Sequence, residues 1–293
     1  MNQTPSCTFI NLARDGERRA HMERQCAQAG LHFERFSAAD GADLPDALRP
    51  YFPFAGDAER TVLSHGEIGC YASHLSLCQR IAAGAIAAPA LILEDDVELP
   101  REFVALLHAL LAALPPDWDI VRLSNDTKHV ARPIQALTPR HSLVRYSNIP
   151  GSTGASLLSR SGAEKFLLLE PRTLPVDQDL RRAWHWRLNT FGVLPAPVRR
   201  DIFDVSTIDA MTDAGWREKS WRIARIRRQR GLEALHRQAL GVQEFGLAAW
   251  LSAETINAVS ALVPKQRRAA FLAGAGAWLA DHMPARHPSA RRL

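Results

Sequence analysis

Three consecutive acidic residues, Glu94, Asp95 and Asp96, directly follow the apolar run "LIL" at positions 91 to 93. Like charges side by side repel each other and resist burial, so this run needs either full solvation or a compensating cation. Hard divalent cations bind carboxylate oxygens and often share the phosphate oxygens of a substrate. The triplet therefore predicts a metal site for a phosphorylated substrate. The alternative is a solvated loop whose acids favour the N-terminus of the following helix.

A second acidic pair, Asp177 and Asp179, lies in the segment "LPVDQDL". A carboxylate here could be the general base that deprotonates a hydroxyl nucleophile. The alternative is structural, with Asp177 as the N-cap of a helix over "LRRAWHWRL". Together with Asp95 and Asp96, the pair could also surround two ions in a metal-dependent phosphoesterase.

The segment "SHGEIGCYASH" at positions 64 to 74 has the pattern of a helix start. Ser64 and Glu67 fit a capping box, in which each side chain accepts a hydrogen bond from the other residue's backbone N–H. The free N–H groups of a helix N-terminus could also bind an anion. His65 and His74 are nine residues apart, so they do not share a helical face and we do not pair them as metal ligands.

Short apolar strands alternate with helical patterns through the first half of the chain, which predicts an α/β fold with a mixed sheet flanked by helices. Strands are predicted at "CTFINL", "HFERFSA", "PALILEDDV" and "WDIVRLS". Helices are predicted at "ERRAHMERQCAQAG", closed by Gly30, across positions 64 to 84, and at "ELPREFVALLHALLAALP" with Pro100 near its first turn. The strand before the acidic triplet is continuously apolar, as in a central buried strand. Ligands of open α/β sheets bind at the carboxyl edge, where these acids lie.

The composition, with 46% hydrophobic and 23% charged residues, is that of an ordinary globular protein. We find neither a secretory signal nor an apolar stretch long enough to cross a bilayer, and so expect a soluble or peripheral protein. The four cysteines show no metal-binding or disulfide-scaffold spacing. This predicts reduced, mostly buried thiols in a cytosolic protein.

The positive charge is concentrated at the C-terminal end. From Arg217 onward there are 14 Lys and Arg against 5 Asp and Glu, whereas residues 1 to 216 have 22 against 26. We therefore divide the chain into a catalytic domain at 1–215 and an Arg-rich helical extension at 216–293. Interleaved Trp, Ile and Arg side chains at 216–240 could dock on an anionic membrane. The same helix could instead be solvated or packed on the domain, and nucleic-acid binding is the least favoured use.

Six segments occur in the order and approximate spacing of glycosyltransferase family 25: "INLARDGERR", "ADG", "GEIGCYASH", "LILEDDV", "STGASLLSRSGAEKFL" and "LPVDQDL". The chain resembles this family over roughly residues 7 to 210. The resemblance implies a nucleotide-sugar transferase with a GT-A-like (Rossmann-like) fold, a divalent metal, Mn²⁺ or Mg²⁺, and inversion at the anomeric carbon. Two positions depart from the family pattern: Ser152 replaces a Gly and Ser156 an aromatic residue. These changes could alter donor or acceptor choice.

The resemblance also implies roles for individual residues. Asp96 would contact the metal, with Asp95 beside it, and Asp177 would activate the acceptor. A metal or donor-sugar role is the alternative for Asp177, and the roles of Asp177 and Asp179 could be exchanged. Gly69 falls in the family's "GE-GC-SH" core. The residues expected near the donor are Asn11, Arg14, Arg18, Asp40, Glu67, Ser73, His74, Glu94 and Asp95.

The resemblance, together with the acidic residues described above, implies an inverting, metal-dependent transferase that moves a sugar, galactose from UDP-galactose, to an oligosaccharide or lipid-linked acceptor in lipopolysaccharide or other surface-glycan biosynthesis. We expect it in the cytoplasm, peripheral to the inner face of the inner membrane. The alternatives are a glucosyltransferase of the same family, the phosphoesterase, and a non-enzymatic nucleic-acid or membrane adaptor that uses the basic extension.

Overall fold

A computed structural model of the protein describes residues 4–57, 61–200, 203 and 220–283. Within these residues, eight strands form one mixed sheet with helices on both faces, which confirms the predicted α/β class. The strands are β1 (Ser6–Asn11), β2 (Phe33–Ser37), β3 (Ala90–Glu94), β4 (Ile120–Arg122), β5 (Ala131–Ala136), β6 (Ser142–Tyr146), β7 (Ala155–Leu158) and β8 (Thr190–Leu194).

The described helices precede, connect and follow these strands. A short 3₁₀ turn spans Arg49–Tyr51. The α-helices are α1 (Gly16–Ala29), α2 (His65–Ala82), α3 (Phe103–Ala113), α4 (Arg160–Phe166), α5 (Val176–Asp179), α6 (Ala183–Trp186), α7 (Ser220–Leu232), α8 (Ala234–Phe245), α9 (Leu247–Ser260) and α10 (Lys265–His282).

The strand order is β2-β1-β3-β7-β4-β8-β6-β5. Strands β2, β1 and β3 are parallel, and β7 is inserted antiparallel between β3 and β4. Strand β8 runs parallel to β4, while β6 is antiparallel to both β8 and β5. Because β1 and β3 are adjacent and parallel, their carboxyl ends, and the residues that follow them, meet at one edge of the sheet.

Alternating strand residues build two apolar layers. Phe9, Leu91 and Leu93 face the layer that contains α1 and α3. Ile10 and Ile92 face the opposite layer, where most of α2 is buried. The central strand β3 is buried on both faces as far as Leu93, which explains its continuously apolar sequence.

Several predicted helix ends are confirmed by the capping geometry. Gly30 closes α1 in the left-handed region, with a φ of 70°. At the start of α2 both hydrogen bonds of the Ser64–Glu67 capping box are present. The helix predicted around Pro100 begins later, at Phe103, because the Phe103 N–H bonds to the Pro100 carbonyl in a turn.

The segment around Asp177 and Asp179 does not form the single helix, capped by Asp177, that was the structural alternative. The segment "LRRAWHWRL" contains the short helix α6, and α5 ends directly before it. Asp177 lies inside α5, whose N-cap is Pro175, so Asp177 does not cap a following helix.

Two ion pairs, one of them buried, connect the predicted C-terminal extension to the sheet domain. The predicted boundary at 215/216 and Trp216 lie outside the described residues. Arg222 of α7 is buried and donates from Nη2 to Glu67 Oε1 at 2.5 Å and from Nε to the Val62 carbonyl at 2.9 Å. Arg182 Nη2 lies 2.6 Å from Glu233 Oε1. At least one arginine of the basic helix therefore packs against the domain and does not face outward.

We searched the described helices for membrane spans. No helix in that part of the chain combines the length and the apolar character that crossing a bilayer requires.

Removing one partner of the ion pair between Arg222 and Glu67 should destabilise the protein strongly, because both side chains are buried. We expect Arg222→Met to lower the free energy of unfolding by about 3 kcal/mol, since it leaves the buried Glu67 carboxylate uncompensated. The exposed Arg228 on the same helix is the matched control, and Arg228→Met should change the free energy by less than about 0.5 kcal/mol. Urea unfolding measures both values, and equal losses in the two variants would contradict this packing.

Candidate active site

The carboxyl ends of β1 and β3 are joined through Asp95. Ile10 and Glu94 are register partners, so Asn11 and Asp95 follow at neighbouring positions of the edge. Asn11 Nδ2 donates to Asp95 Oδ2 at 2.8 Å, and Arg18 Nη1 from α1 donates to Asp95 Oδ1 at 2.9 Å. Burial raises the pKa of Asp95, although both of these contacts act to lower it. The structure thus brings together three residues that the sequence placed near the donor.

Glu94 is the second acid of the edge and has a different set of partners. Its Oε1 accepts from Thr153 Oγ1 at 2.5 Å and lies 3.5 Å from His74 Nε2 of α2. Burial by itself would raise the pKa of Glu94, but the contacts with His74 and Thr153 outweigh it and lower the pKa. Glu94 is therefore held as a carboxylate beneath α2.

Helix α2 and the loop after β2 form the opposite wall. Gly69 permits their close approach, because a Cβ at this position would lie 2.6 Å from the Ala39 carbonyl oxygen. Ser73 Oγ accepts from the Ala39 N–H at 2.9 Å and donates to the Gly69 carbonyl at 2.8 Å. Two residues of the "GE-GC-SH" segment therefore fix the loop against the helix.

A cleft of about 680 Å³, continuous with solvent, lies between this wall and the acids. One side is lined by small and apolar groups and the other by carboxylates and Arg18. This combination suits a ligand with a flat ring at one end and a charged group at the other. The lining residues are Ile10, Asn11, Leu12, Arg18, Ala38, Ala39, Gly66, Gly69, Cys70, Ser73, Glu94, Asp95 and Asp96.

Four residues predicted near the donor lie outside this lining: Arg14, Asp40, Glu67 and His74, the last of which contacts Glu94 from α2. Arg14 and Asp40 are exposed, and Asp40 Oδ1 accepts from the Ala42 N–H at 2.9 Å within its own loop. Glu67 is occupied by the capping box and by Arg222. The structure places Glu67 as a residue that holds α2 and α7 together.

Two sets of side chains could hold a cation. Cys70, His74 and Glu94 bring one ligand atom each to within 4.8 Å of one another. Burial and the charges of Glu94 and Asp177 raise the pKa of the Cys70 thiol well above its ordinary value, which disfavours the thiolate that a metal would need. The carboxylates of Glu94 and Asp96 suit Mn²⁺ or Mg²⁺ better, because hard cations prefer oxygen ligands. Asp95 already accepts a hydrogen bond on each oxygen.

Asp177 and Asp179, only two residues apart, have separate environments. Asp179 is buried, accepts from the Tyr71 hydroxyl at 2.8 Å and pairs with Arg182 Nη1 at 2.6 Å. Asp177 is half-buried, and its Oδ2 accepts from Gln178 Nε2 at 2.7 Å. The geometry thus makes Asp179 a support between α5 and α2, and leaves Asp177 the more accessible of the two.

The segment between β6 and β7 connects Asp177 to the acidic edge. A Cβ at Gly151 would lie 2.9 Å from Asp177 Oδ2, so glycine lets the backbone pass beside this carboxylate. Three positions further along the chain, the Gly154 carbonyl accepts from the Glu94 N–H at 2.8 Å. Ser152, one of the two departures from the family pattern, accepts from the Gly154 N–H and so helps to shape this segment.

Arg122 is a site residue that sequence reasoning missed. It lies on β4 in register with Ser156, the other departure, and both are buried. Neither Nη atom of Arg122 nor the Ser156 hydroxyl has a hydrogen-bond partner among the described residues. Burial lowers the pKa of Arg122, while the charges of Tyr146, Asp177 and Glu94 act to raise it. The available signal was one arginine within the apolar strand "DIVRL".

The sheet and its edge define an α/β protein with an acidic cleft at the carboxyl ends of β1 and β3. The chain belongs to glycosyltransferase family 25, because the family described as "Glycosyltransferase family 25 (LPS biosynthesis protein)" matches residues 6–180. This confirms the resemblance found in the sequence motifs.

Curated relatives include procollagen galactosyltransferase 1 of Danio rerio, 28% identical over 183 residues, which cover 59% of this chain and 30% of the relative. Procollagen galactosyltransferase 1-A of Xenopus laevis is 29% identical over 190 residues, with the same coverage of 59% and 30%. The inactive glycosyltransferase 25 family member 3 of Mus musculus is 27% identical over 269 residues, covering 79% of this chain and 43% of that protein. The chain thus spans less than half the length of these relatives.

The close contact at Gly69 gives a test of the cleft wall. Alanine normally stabilises a helix interior relative to glycine, and Gly274→Ala in α10, where a Cβ meets nothing within 4 Å, should raise the free energy of unfolding by about 0.5–1 kcal/mol. Gly69→Ala should instead lower it by about 2 kcal/mol, because the new methyl group collides with backbone. Urea titrations of both variants give the values, and a stabilised Gly69→Ala protein would refute the close approach.

Proposed function

We propose that this chain is an inverting, divalent-metal-dependent glycosyltransferase that moves galactose from UDP-galactose to a saccharide acceptor in surface-glycan assembly. The observation that carries the proposal is the cleft at the carboxyl edge of the sheet, where Glu94 and Asp96 face an apolar wall. A nucleoside diphosphate needs both features: an apolar surface for its base and a cation for its phosphates.

Glu94 and Asp96 would hold the metal, with Asp95 joining the strand ends beside them. When bound, the divalent metal neutralises the negative charge that gathers on the departing diphosphate. Arg18 is fixed against Asp95 at the mouth of the same cleft and adds a fixed positive charge there. The protein thus orients the donor through groups that are in place before it binds.

Asp177 is the candidate general base. In an inverting transfer the acceptor oxygen bonds to the anomeric carbon as the bond to UDP breaks, and the hydroxyl proton passes to the base. Asp177 is the more accessible of the two acids in α5, and the 151–154 segment brings it toward Glu94. Asp179 is assigned a supporting role because Tyr71 and Arg182 occupy its carboxylate.

The comparisons support the choice of sugar and the class of acceptor. Two relatives carry the name procollagen galactosyltransferase, which favours galactose over glucose as the transferred sugar. The family description refers to lipopolysaccharide biosynthesis, which favours an oligosaccharide or lipid-linked acceptor. Since one relative is named inactive, transfer by this chain has to be measured directly.

A lipid-linked acceptor would place the protein in the cytoplasm, at the inner face of the inner membrane. Eight of the eleven exposed large hydrophobic side chains recorded in the described residues belong to the C-terminal helices at 220–283. Leu232 and Leu235, near the junction of α7 and α8, are 70% and 80% exposed. Together with the exposed Arg227 and Arg228, they support peripheral contact with an anionic membrane.

The other enzyme class predicted from the sequence receives less support. A two-ion phosphoesterase would need Asp95, Asp96, Asp177 and Asp179 as ligands. Asp95 and Asp179 are instead bonded on both carboxylate oxygens by protein groups. The adaptor hypothesis is likewise weakened, because Arg222 is buried within the protein.

Donor binding tests the metal-nucleotide site. We expect UDP to raise the melting temperature only in the presence of Mn²⁺ or Mg²⁺, because a ligand that binds the native state stabilises it. Asp96→Asn should abolish this shift, whereas Asp46→Asn, at an acid with 98% side-chain exposure, should retain it. A comparison of UDP-galactose, UDP-glucose and UDP-N-acetyl sugars then ranks the donors. The proposal would be contradicted if UDP raised the melting temperature of the wild type, Asp96→Asn and Asp46→Asn equally and without a metal.

Substitutions at the two acids of α5 should affect different properties: turnover for Asp177 and stability for Asp179. Asp177→Asn should lower kcat for UDP-galactose turnover with a panel of saccharide acceptors by about 10²–10⁴-fold, with donor binding unchanged. Asp179→Asn should lower the free energy of unfolding by about 2 kcal/mol, since it removes the charge that pairs with Arg182. UDP release and urea unfolding are measured on both variants. The assignment would be reversed if Asp179→Asn lost kcat at full stability.

A further inference from the structure

A second cleft lies between helices α5 and α6 on one side and α7 and α8 on the other, and it encloses about 930 Å³ of space open to solvent. The α7 and α8 side belongs to the part of the chain beyond the family match, which ends at residue 180. Its charged lining residues other than histidine are Arg181, Arg182, Arg230, Arg237 and Glu233.

The positive charge of this cleft is largely uncompensated. Arg182 forms ion pairs with Asp179 Oδ1 and Glu233 Oε1, each at 2.6 Å. Glu233, the acidic residue of the lining, therefore already has a partner. In the described part of the chain no ion pair is recorded for the other three arginines, Arg181, Arg230 and Arg237. Three guanidinium groups therefore share one cleft without a neutralising carboxylate at ion-pair distance.

Arg181 is fixed in position at the centre of this group. Its Nε donates to the Ile149 carbonyl at 2.9 Å and its Nη2 to Asn148 Oδ1 at 3.0 Å. Burial and the charges of Arg230 and Arg237 lower the pKa of Arg181, while the charge of Asp177 acts to raise it, so Arg181 is repelled by both of the other arginines. Guanidinium groups stay protonated in proteins, and an oxyanion is the ligand that relieves such repulsion.

The cleft is connected to the candidate base through one side chain. Gln178 lines the cleft and donates from Nε2 to Asp177 Oδ2 at 2.7 Å. Its Oε1 accepts from Arg230 Nη2 and, at 3.4 Å, from Arg181 Nη1. A ligand bound by the arginines next to Gln178 would therefore lie close to Asp177, the proposed acceptor-activating base.

We propose that this cleft binds an anionic group, a phosphate or a carboxylate, carried by the acceptor saccharide. The inference rests on the proposed transferase function and specifies its acceptor as an acidic sugar. Charge complementarity favours an anionic ligand over a neutral one. The contact between Gln178 and Asp177 favours an anion carried by the acceptor over one carried by the donor. Planar guanidinium groups match both oxyanions through paired N–H donors.

Sugar-phosphate binding tests the cleft without requiring turnover. Calorimetric titrations would compare glucose 6-phosphate, glucuronate and glucose on the full chain in the absence of donor. We expect the two anions to bind at least about 10-fold more tightly than glucose, and Arg237→Gln or Arg230→Gln to remove that preference. Arg267→Gln, an exposed arginine on α10, is the matched control and should bind like the wild type. Equal affinity for the anions and for glucose would overturn the proposal.

Turnover separates this inference from the proposed function. With UDP-galactose and Mn²⁺, Arg237→Gln should raise KM for the acidic acceptor and leave KM for UDP-galactose unchanged. If the sugar phosphates bind through Arg237 but neither acidic nor neutral sugars give UDP release, the transferase proposal fails while the anion site stands. If transfer proceeds equally well to neutral and acidic sugars, the transferase proposal stands and this inference fails.

A vesicle experiment distinguishes the two sources of a phosphate. Sedimentation with phosphatidylglycerol vesicles and with phosphatidylcholine vesicles would be repeated in the presence of glucose 6-phosphate. We expect Arg237→Gln to leave vesicle binding unchanged and the sugar phosphate not to compete. Loss of phosphatidylglycerol binding in Arg237→Gln would assign the cleft to a lipid headgroup and overturn the acceptor assignment.

Discussion

The rest of the structure depends on how three adjacent carboxylates are kept at the end of a buried strand. Each has its own surroundings. Asp95 is compensated by Asn11 and Arg18 from the neighbouring strand and helix, and Glu94 by His74 and Thr153 from the opposite layer. Asp96 faces the cleft. Because adjacent like charges repel, these separate sets of partners allow three carboxylates to lie together at one edge of the sheet.

Helix α2 connects this edge to the remainder of the molecule. Its first turn is tied to α7 through Glu67 and Arg222, and its second to the α5 segment through Tyr71 and Asp179. One turn further on, His74 reaches Glu94. A single buried helix thus sets the positions of the acidic edge, the candidate base and the C-terminal helices relative to one another.

Sequence patterns predicted the elements that local physics determines. The continuous apolar run gave β3, and the capping box gave the start of α2, because both depend on residues close in the chain. The antiparallel β7 between β3 and β4 was not predicted, since its partners are distant in sequence. Arg222 shows a related limit. Helical periodicity identifies a face of a helix but does not say which part of the protein covers it.

The candidate site was predicted only in part, because the roles of its residues also depend on partners that are distant in the sequence. The acids were identifiable as a group, yet their separate roles depend on partners such as Arg18, 77 residues from Asp95. Asp177 and Asp179 share a four-residue helix and differ only in what surrounds them. Arg122 was missed because one charged residue in an apolar strand carries no pattern.

We propose that the acidic edge binds a metal-nucleotide complex. Anomalous diffraction at the manganese edge, from crystals grown with MnCl₂ and UDP, tests it most directly. We expect one manganese peak that contacts the Asp96 carboxylate and the UDP diphosphate. A peak at Asp177 and Asp179, or bound UDP without manganese at Asp96, would contradict it.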